Sequence, residues 1–201
     1  KDAPASAVFE KLRPKVEAIP LPPGFDLQWG GEYEDYGEAQ KGLMAKMPVI
    51  AMLMALTVIV LFNSIKKPLV IFLTVPLAII GVTLGLLLAG QPFGFMALLG
   101  FLSLSGMLIK NSIVLIDEIN AQLASGKDPF QAVVDSGVSR FRPVSMAAAT
   151  TVLGMIPLLA DAFFVAMAVT IMVGLTFATV LTLIVVPVLY TVVFRIKQTV
   201  A

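Results

Sequence analysis

Residues 68–109 read PLVIFLTVPLAIIGVTLGLLLAGQPFGFMALLGFLSLSGMLI, and no charged side chain occurs among them. A helix needs about 20 apolar residues to cross a bilayer, so this stretch is long enough for two crossings. The tetrapeptide Ala89-Gly90-Gln91-Pro92 near its middle is a turn signal. The sequence therefore predicts two membrane-spanning helices joined by a short turn.

The rest of the chain supplies three further spans. Hydrophobic residues make up 58% of the chain and charged residues 13%, whereas soluble domains carry about 25% charged residues. Uncharged stretches at 47–65, 143–160 and 162–194 are each long enough to cross a bilayer. We therefore predict an all-α membrane helical bundle in which residues 41–201 form five transmembrane helices.

The placement of basic residues predicts the orientation of the spans. Lys and Arg residues occur in three of the polar segments, at Lys66, Lys67, Lys127, Arg140, Arg142, Arg195 and Lys197. The remaining two turns, near Gln91 and Asp161, contain none. Because short basic segments stay on the cytoplasmic side, this alternation puts residues 1–40 outside and the C-terminus in the cytoplasm.

Residues 1–40 differ in kind from the spans. Residues 5–18 are typical of a short helix, which Pro14 should break. Phe25, Leu27 and Trp29 alternate with polar residues, as in a half-buried strand. Because one helix and one strand cannot bury a core, we expect this segment to end a larger exterior α/β domain, and the chain to be a piece of a longer protein.

The segment near 128–141 predicts an additional helix. Asp128-Pro129 is a favourable helix start, with Asp as N-cap and Pro at the first helical position. Apolar residues then recur every three to four positions, as in an amphipathic helix. We expect this helix to lie along the cytoplasmic interface as a structural linker, rather than to have a regulatory role.

Lys110 is the first candidate functional residue. It interrupts an otherwise apolar stretch, and ionisable groups inside spans commonly mark ion or proton pathways. The thirteen acidic residues all lie outside the predicted membrane core, so a counter-charge must come from another polypeptide segment. The alternative is that Lys110 snorkels to the cytoplasmic surface near Asp117. Asn111 and Ser112 argue against it, because they add polarity at the same depth.

Hydroxyl groups in span four are further candidates. Thr150 and Thr151 could relay a proton through hydrogen bonds, although such residues often serve only as packing groups bonded to the backbone. The chain has no Cys and no His, which removes thiolate chemistry and the usual zinc or haem ligands. An intramembrane enzyme is disfavoured, and no nucleic-acid-binding face is indicated.

Several motifs resemble the C-terminal half of resistance-nodulation-division (RND) efflux permeases of the hydrophobe/amphiphile class. They are GFLSLSGMLIKNSIVLIDE at 100–118, RFRPVSM at 140–146, LGMIPL at 153–158, MAVTIMVG at 167–174 and PVLY at 187–190. The stretch LPPGFDLQWGG at 21–31 resembles the end of their periplasmic porter domain. The resemblance covers essentially the whole chain.

The resemblance implies a proton/substrate antiporter that exports amphiphilic compounds across the bacterial inner membrane. It implies spans eight to twelve of a twelve-span homotrimer, with residues 1–40 ending a ferredoxin-like porter subdomain. The implied partners are an N-terminal half carrying paired intramembrane aspartates, a periplasmic adaptor and an outer-membrane channel protein. The energy source would be the proton-motive force, with no cofactor and no metal.

The resemblance also assigns site residues. Lys110, followed by Asn111, matches the family's lysine that faces the paired aspartates, and Arg140 matches its arginine at the start of span eleven. A threonine usually follows the Met of the Arg-Pro-x-x-Met element, but here that position is Ala147. Thr150 and Thr151, about one turn further on, are then the nearest hydroxyl replacements. Two alternatives stay open: a non-transporting scaffold or assembly half, and RND-type export of lipid or protein.

Overall fold

The computed structural model describes residues 5–22, 24–27 and 29–196. The helices are α1 (Ala5–Glu17), α2 (Glu32–Phe62), α3 (Lys66–Phe72), α4 (Val75–Leu88), α5 (Phe95–Ala124), α6 (Pro129–Met155) and α7 (Val165–Phe194), with a short 3-10 helix at Ile156–Ala160. The described ranges contain no strand. Five helical segments among them are long and apolar enough to cross a membrane, which confirms the predicted all-α bundle.

The chain divides into two compact units, residues 1–47 and 48–201. In the first, the rings of Phe9 and Trp29 meet edge to face with centroids 4.8 Å apart. Trp29 Nε1 donates to Glu17 Oε1 at 3.2 Å, and Arg13 Nε donates to the same oxygen at 2.8 Å. These hydrogen bonds, that from Arg13 above all, hold the pKa of the Glu17 carboxyl below its ordinary value. They fasten the segment after α1 back onto that helix.

Two sequence expectations for residues 1–40 were wrong in the part the structure describes. The half-buried strand is absent: Phe25 is 68% exposed, Leu27 is exposed, and Gln28 lies outside the described residues. A strand needs neighbouring strands to bond its backbone, and the described residues of this region contain none. The expected break at Pro14 is absent too, since α1 continues through it. In an exposed helix, water can bond the carbonyl that proline leaves free.

Span two consists of α3 and α4, with a break at residues 73–74. Pro76 lies in the first turn of α4, where its missing N–H costs least. The Thr74 hydroxyl donates to the Ile71 carbonyl oxygen at 2.6 Å. Because no water is present in a bilayer core, a broken span needs such internal partners for its backbone.

The segment near 128–141 is not a separate helix. Asp128 caps α6 as predicted, its Oδ2 accepting from the backbone nitrogens of Phe130 and Gln131 at 3.1 and 3.2 Å. The helix then runs without interruption through Pro143 to Met155. A proline inside a membrane helix removes one backbone hydrogen bond and leaves the remainder intact, so the expected boundary does not form.

Helix α7 is the central element of the second unit and packs against α3, α4, α5 and α6. Glycines bring the backbones close together. A Cβ built on Gly174 would lie 2.5 Å from Leu104 Cδ2, and one on Gly81 would lie 2.7 Å from the Cβ of Phe177. A Cβ on Gly85 would lie 2.7 Å from that of Val173. The Gly81-x-x-x-Gly85 motif therefore lets α4 pack closely against α7.

We predict that Gly174→Ala and Gly81→Ala each destabilise the protein by about 1–3 kcal/mol, because the added methyl group overpacks a closed seam. Gly106→Ala is the matched control, since nothing lies within 4 Å of its added Cβ. Thermal unfolding in detergent measures all three variants. Equal melting temperatures for the Gly174 and Gly106 variants would contradict the close approach.

Candidate functional site

Lys110 lies on the exposed surface of α5. Ser103 and Asp117, one heptad before and after it, are exposed on the same side. These three residues form a polar stripe on the exposed side of α5. No described residue covers the stripe, so burial of Lys110 against another segment stays a prediction.

Ser112 does not belong to that stripe. It is fully buried, and its Oγ lies 3.2 Å from Thr74 Oγ1 at the junction of α3 and α4. Two residues along a helix turn the side chain by about 200°, so Ser112 points into the bundle while Lys110 points out. Asn111 lies between them and is half-buried. Ser112 therefore adds polarity close to the depth of Lys110, but on the other side of α5.

Arg140 forms an ion pair with Glu118 across the α5–α6 hairpin, from its Nη2 to Oε2. The side chains of Arg140 and Glu118 are 34% and 21% exposed. Glu118 lies eight residues beyond Lys110, about 12 Å along α5. The structure therefore brings Arg140 to the end of α5 and not to Lys110.

Other polar side chains extend this contact between α5 and α6. Gln122 Nε2 donates to Glu118 Oε1 at 3.0 Å, and Lys127 Nζ donates to Gln122 Oε1 at 2.9 Å. Lys127 also pairs with Asp135 of α6 at 2.9 Å. We call Glu118, Gln122, Lys127, Asp135 and Arg140 the hairpin clamp. Its residues fix the height of α6 relative to α5.

The clamp sets which residues of α6 lie near the level of Lys110. Lys110 precedes Glu118 by eight residues, and Ala148 follows Arg140 by eight residues. Because the two helices run in opposite directions from their connection, Ala147 and Ala148 lie at about the height of Lys110. The position where the family pattern has a threonine is thus level with the lysine.

Thr150 and Thr151 lie about one turn further along α6. Their hydroxyls donate to the same acceptor, the Ala147 carbonyl oxygen, at 2.9 and 3.0 Å. Thr150 is exposed and Thr151 half-buried. Each hydroxyl oxygen keeps lone pairs that can accept a hydrogen bond, but its proton is held by its own helix. Their role as relays stays a prediction.

Residues 3–194 match the sequence profile of the AcrB/AcrD/AcrF family. The chain belongs to this family. It is 35% identical to the nickel and cobalt resistance protein CnrA of Cupriavidus metallidurans, over 90% of this chain and 17% of that protein. It is 34% identical to the multidrug resistance protein MdtC of Salmonella paratyphi A, over 65% of this chain and 13% of that protein.

The fold agrees with this assignment. The crystal structure of a heavy metal efflux pump (crystal form II) superposes with a TM-score of 0.75 and 29% sequence identity, covering 97% of this chain and 20% of that one. The chain therefore spans a fifth or less of the length of these proteins. Membership of the AcrB/AcrD/AcrF family confirms the resemblance to RND permeases.

Two contacts of this family member went unnoticed in the sequence. Glu118 could have been suggested as the partner of Arg140, because it follows predicted span three and Arg140 precedes predicted span four, on the same side of the membrane. The Thr74–Ser112 contact offered no such signal, since the two residues are far apart in the chain. Among the described residues, no group of three or more His, Cys, Asp or Glu side chains could hold a metal ion.

The ion pair of the hairpin clamp gives a first prediction for the site. Glu118→Gln and Arg140→Gln should lower stability by similar amounts, and the double variant should cost less than their sum. We expect a coupling free energy of about 0.2–1 kcal/mol, as for partly exposed ion pairs, falling as salt is added. Additive effects in thermal unfolding would show that Arg140 does not depend on Glu118.

A second prediction concerns the two threonines. Thr150→Val and Thr151→Val keep the shape of the side chain and remove the hydroxyl. We expect the variant of the relaying residue to lose proton-coupled transport, and the other to change only stability slightly. The measurement is transport rate against external pH in the complete protein. Parent rates for both variants at every pH would show that both hydroxyls are structural.

Proposed function

We propose that this chain is the C-terminal part of a proton-driven RND efflux transporter, in which Lys110 responds to the protonation of carboxylates on a partner segment. The observation that carries the proposal is the exposed position of Lys110 on an apolar helix that is long enough to cross a membrane. An ammonium group left against lipid at that depth costs several kcal/mol. A second polypeptide segment with carboxylates removes that cost.

The proposed partner is an N-terminal half that carries paired intramembrane aspartates. With both aspartates ionised, Lys110 pairs with them across the exposed face of α5. When a proton from the periplasm neutralises one aspartate, the attraction on Lys110 falls and its side chain reorients. Release of that proton to the cytoplasm restores the pair and completes the cycle.

In this proposal, the contacts of α5 transmit its movement to the neighbouring helices. Helix α5 is joined to α6 by the hairpin clamp and to α7 by the close packing at Gly174. A shift of α5 therefore displaces its neighbours instead of being absorbed by a loose interface. Arg140 acts in this mechanism by positioning α6, with Asn111 adjoining the lysine and Thr150 or Thr151 as the hydroxyl relay.

The proposed setting is the bacterial inner membrane, with residues 1–40 periplasmic and the C-terminus cytoplasmic. The distribution of basic residues supports this orientation. We further propose a homotrimer that works with a periplasmic adaptor and an outer-membrane channel protein, as the RND family pattern implies. A non-transporting scaffold half is the competing function, and it predicts no proton flux.

The proposed cargo is a divalent heavy-metal cation. CnrA is named for nickel and cobalt resistance, and a 32% identical relative, CzcA of Cupriavidus metallidurans, is named for cobalt, zinc and cadmium resistance. The superposed structure is a heavy metal efflux pump. Amphiphilic compounds are the second candidate, supported by the multidrug resistance protein MdtC. Export of lipid or protein has no such support among these relatives.

The role of Lys110 is tested in proteoliposomes that contain the complete protein and an internal pH indicator. We expect Lys110→Met and Lys110→Ala to abolish substrate-dependent proton flux while expression stays near normal. Lys66→Met is the matched control, because Lys66 is an exposed lysine at the start of α3. Full flux in the Lys110 variants would refute the assigned role.

The cargo is tested in the same vesicles with Ni²⁺, Co²⁺ or Zn²⁺ and, separately, with an amphiphilic dye. Proton flux evoked by a metal ion and absent with the dye supports heavy-metal export. The reverse result assigns the protein to the amphiphile class. Flux with neither, together with an intact complex, favours the scaffold function.

A further inference from the structure

Two threonines of α7 differ from the other three threonines of that helix in their hydrogen bonding. Thr170, Thr176 and Thr191 donate to carbonyl oxygens of their own helix at 2.7, 2.8 and 2.7 Å. Thr179 and Thr182 are only 5% and 2% exposed, yet their hydroxyl oxygens have no hydrogen-bond partner among the described residues. Both hydroxyl oxygens are thus buried without the backbone partner that the other three threonines have.

The register of α5 against α7 gives the height of Thr182 in the bundle. Contacts join Gly100 to Thr170, Leu104 to Gly174 and Asn120 to Tyr190, so residues that differ by 70 in number lie at the same height. A constant difference means that the two helices run parallel. Ser112 of α5 is therefore level with Thr182 of α7, and Thr179 lies about one turn away.

Ser112 brings a third helix into this group through Thr74. The Thr74 hydroxyl proton is directed to the Ile71 carbonyl oxygen at 2.6 Å. Ser112 is then the donor in the 3.2 Å contact with Thr74. The lone pairs of the Ser112 oxygen stay available for another donor. Four buried hydroxyls from three parts of the bundle thus lie within about one helical turn in height.

We propose that Thr74, Ser112, Thr179 and Thr182 form an internal binding site for water. A buried hydroxyl without a partner is unfavourable, and buried waters in proteins typically make about three hydrogen bonds to such groups. A water between Thr182 and Ser112 accepts from one hydroxyl and donates to the other. The site lies on the side of α5 opposite to Lys110, so it is independent of the lysine stripe.

The competing structure is dry. In it, Thr179 and Thr182 rotate and donate to carbonyl oxygens of α7, as the other three threonines do. The two structures predict opposite effects of valine. If a water bridges Thr182 and Ser112, Thr182→Val leaves that water and Ser112 short of a hydrogen-bond partner, and stability falls. If the site is dry, valine removes a poorly bonded polar group, and stability is unchanged or rises.

Thermal unfolding of the complete protein in detergent gives the first test. We expect Thr182→Val to lower the melting temperature of the parent protein. In a protein that already carries Ser112→Ala, we expect Thr182→Val to lower the melting temperature much less. Thr176→Val is the control, because Thr176 is exposed and bonded to its own helix, and it should change little. An unchanged or raised melting temperature for Thr182→Val overturns the proposal.

Water-edited solid-state NMR on the unmodified protein provides a test that needs no variant. Magnetisation should pass from water to the Thr179 and Thr182 side chains faster than to Thr170, which is buried but bonded to the Ala166 carbonyl. Transfer at the same slow rate to all three threonines would show that the site is dry. The result of this experiment does not depend on whether Lys110 takes part in proton-coupled transport.

Discussion

The close approach of α7 to α4 and α5 is the constraint on which the second unit depends. Lipid chains are as apolar as leucine, so helices in a membrane gain little from hiding apolar side chains and associate through tight packing. Gly81 and Gly174 permit that packing, because a side chain at either position would collide with Phe177, Val82 or Leu104. The remaining helices then take their places around α7.

This packing also decides which residues of α5 face outward. Once Leu104 is seated on Gly174, the rotation of α5 is fixed, and Leu108 and Ser112 follow it into the interior. Lys110 is then forced onto the opposite side. The exposure of Lys110 is therefore a consequence of the packing of Leu104 on Gly174, on the opposite side of α5. A change in that packing would rotate Lys110 as well as loosen the bundle.

The features that could be predicted from the sequence are those that depend on the bilayer or on local geometry. Span number follows from apolar length, and the start of α6 follows from the N-cap at Asp128. The expected strand at Phe25 failed because a strand needs neighbouring strands, and the described residues contain none. The contact between Ser112 and Thr74 could not be predicted, since contacts between distant segments leave no periodic pattern.

Arg140 matches a motif of the family, but the motif alone does not say which residue its side chain contacts. Its guanidinium is engaged by Glu118, about 12 Å along α5 from Lys110, so it has no direct access to the lysine. It nevertheless sets the height of α6 and hence brings Ala147 level with Lys110. Arg140 thus positions α6, and the position where the resemblance predicts a hydroxyl group carries only a methyl group here. Any proton route along α6 must therefore begin about one turn away, at Thr150 or Thr151, whose protons are held by the Ala147 carbonyl.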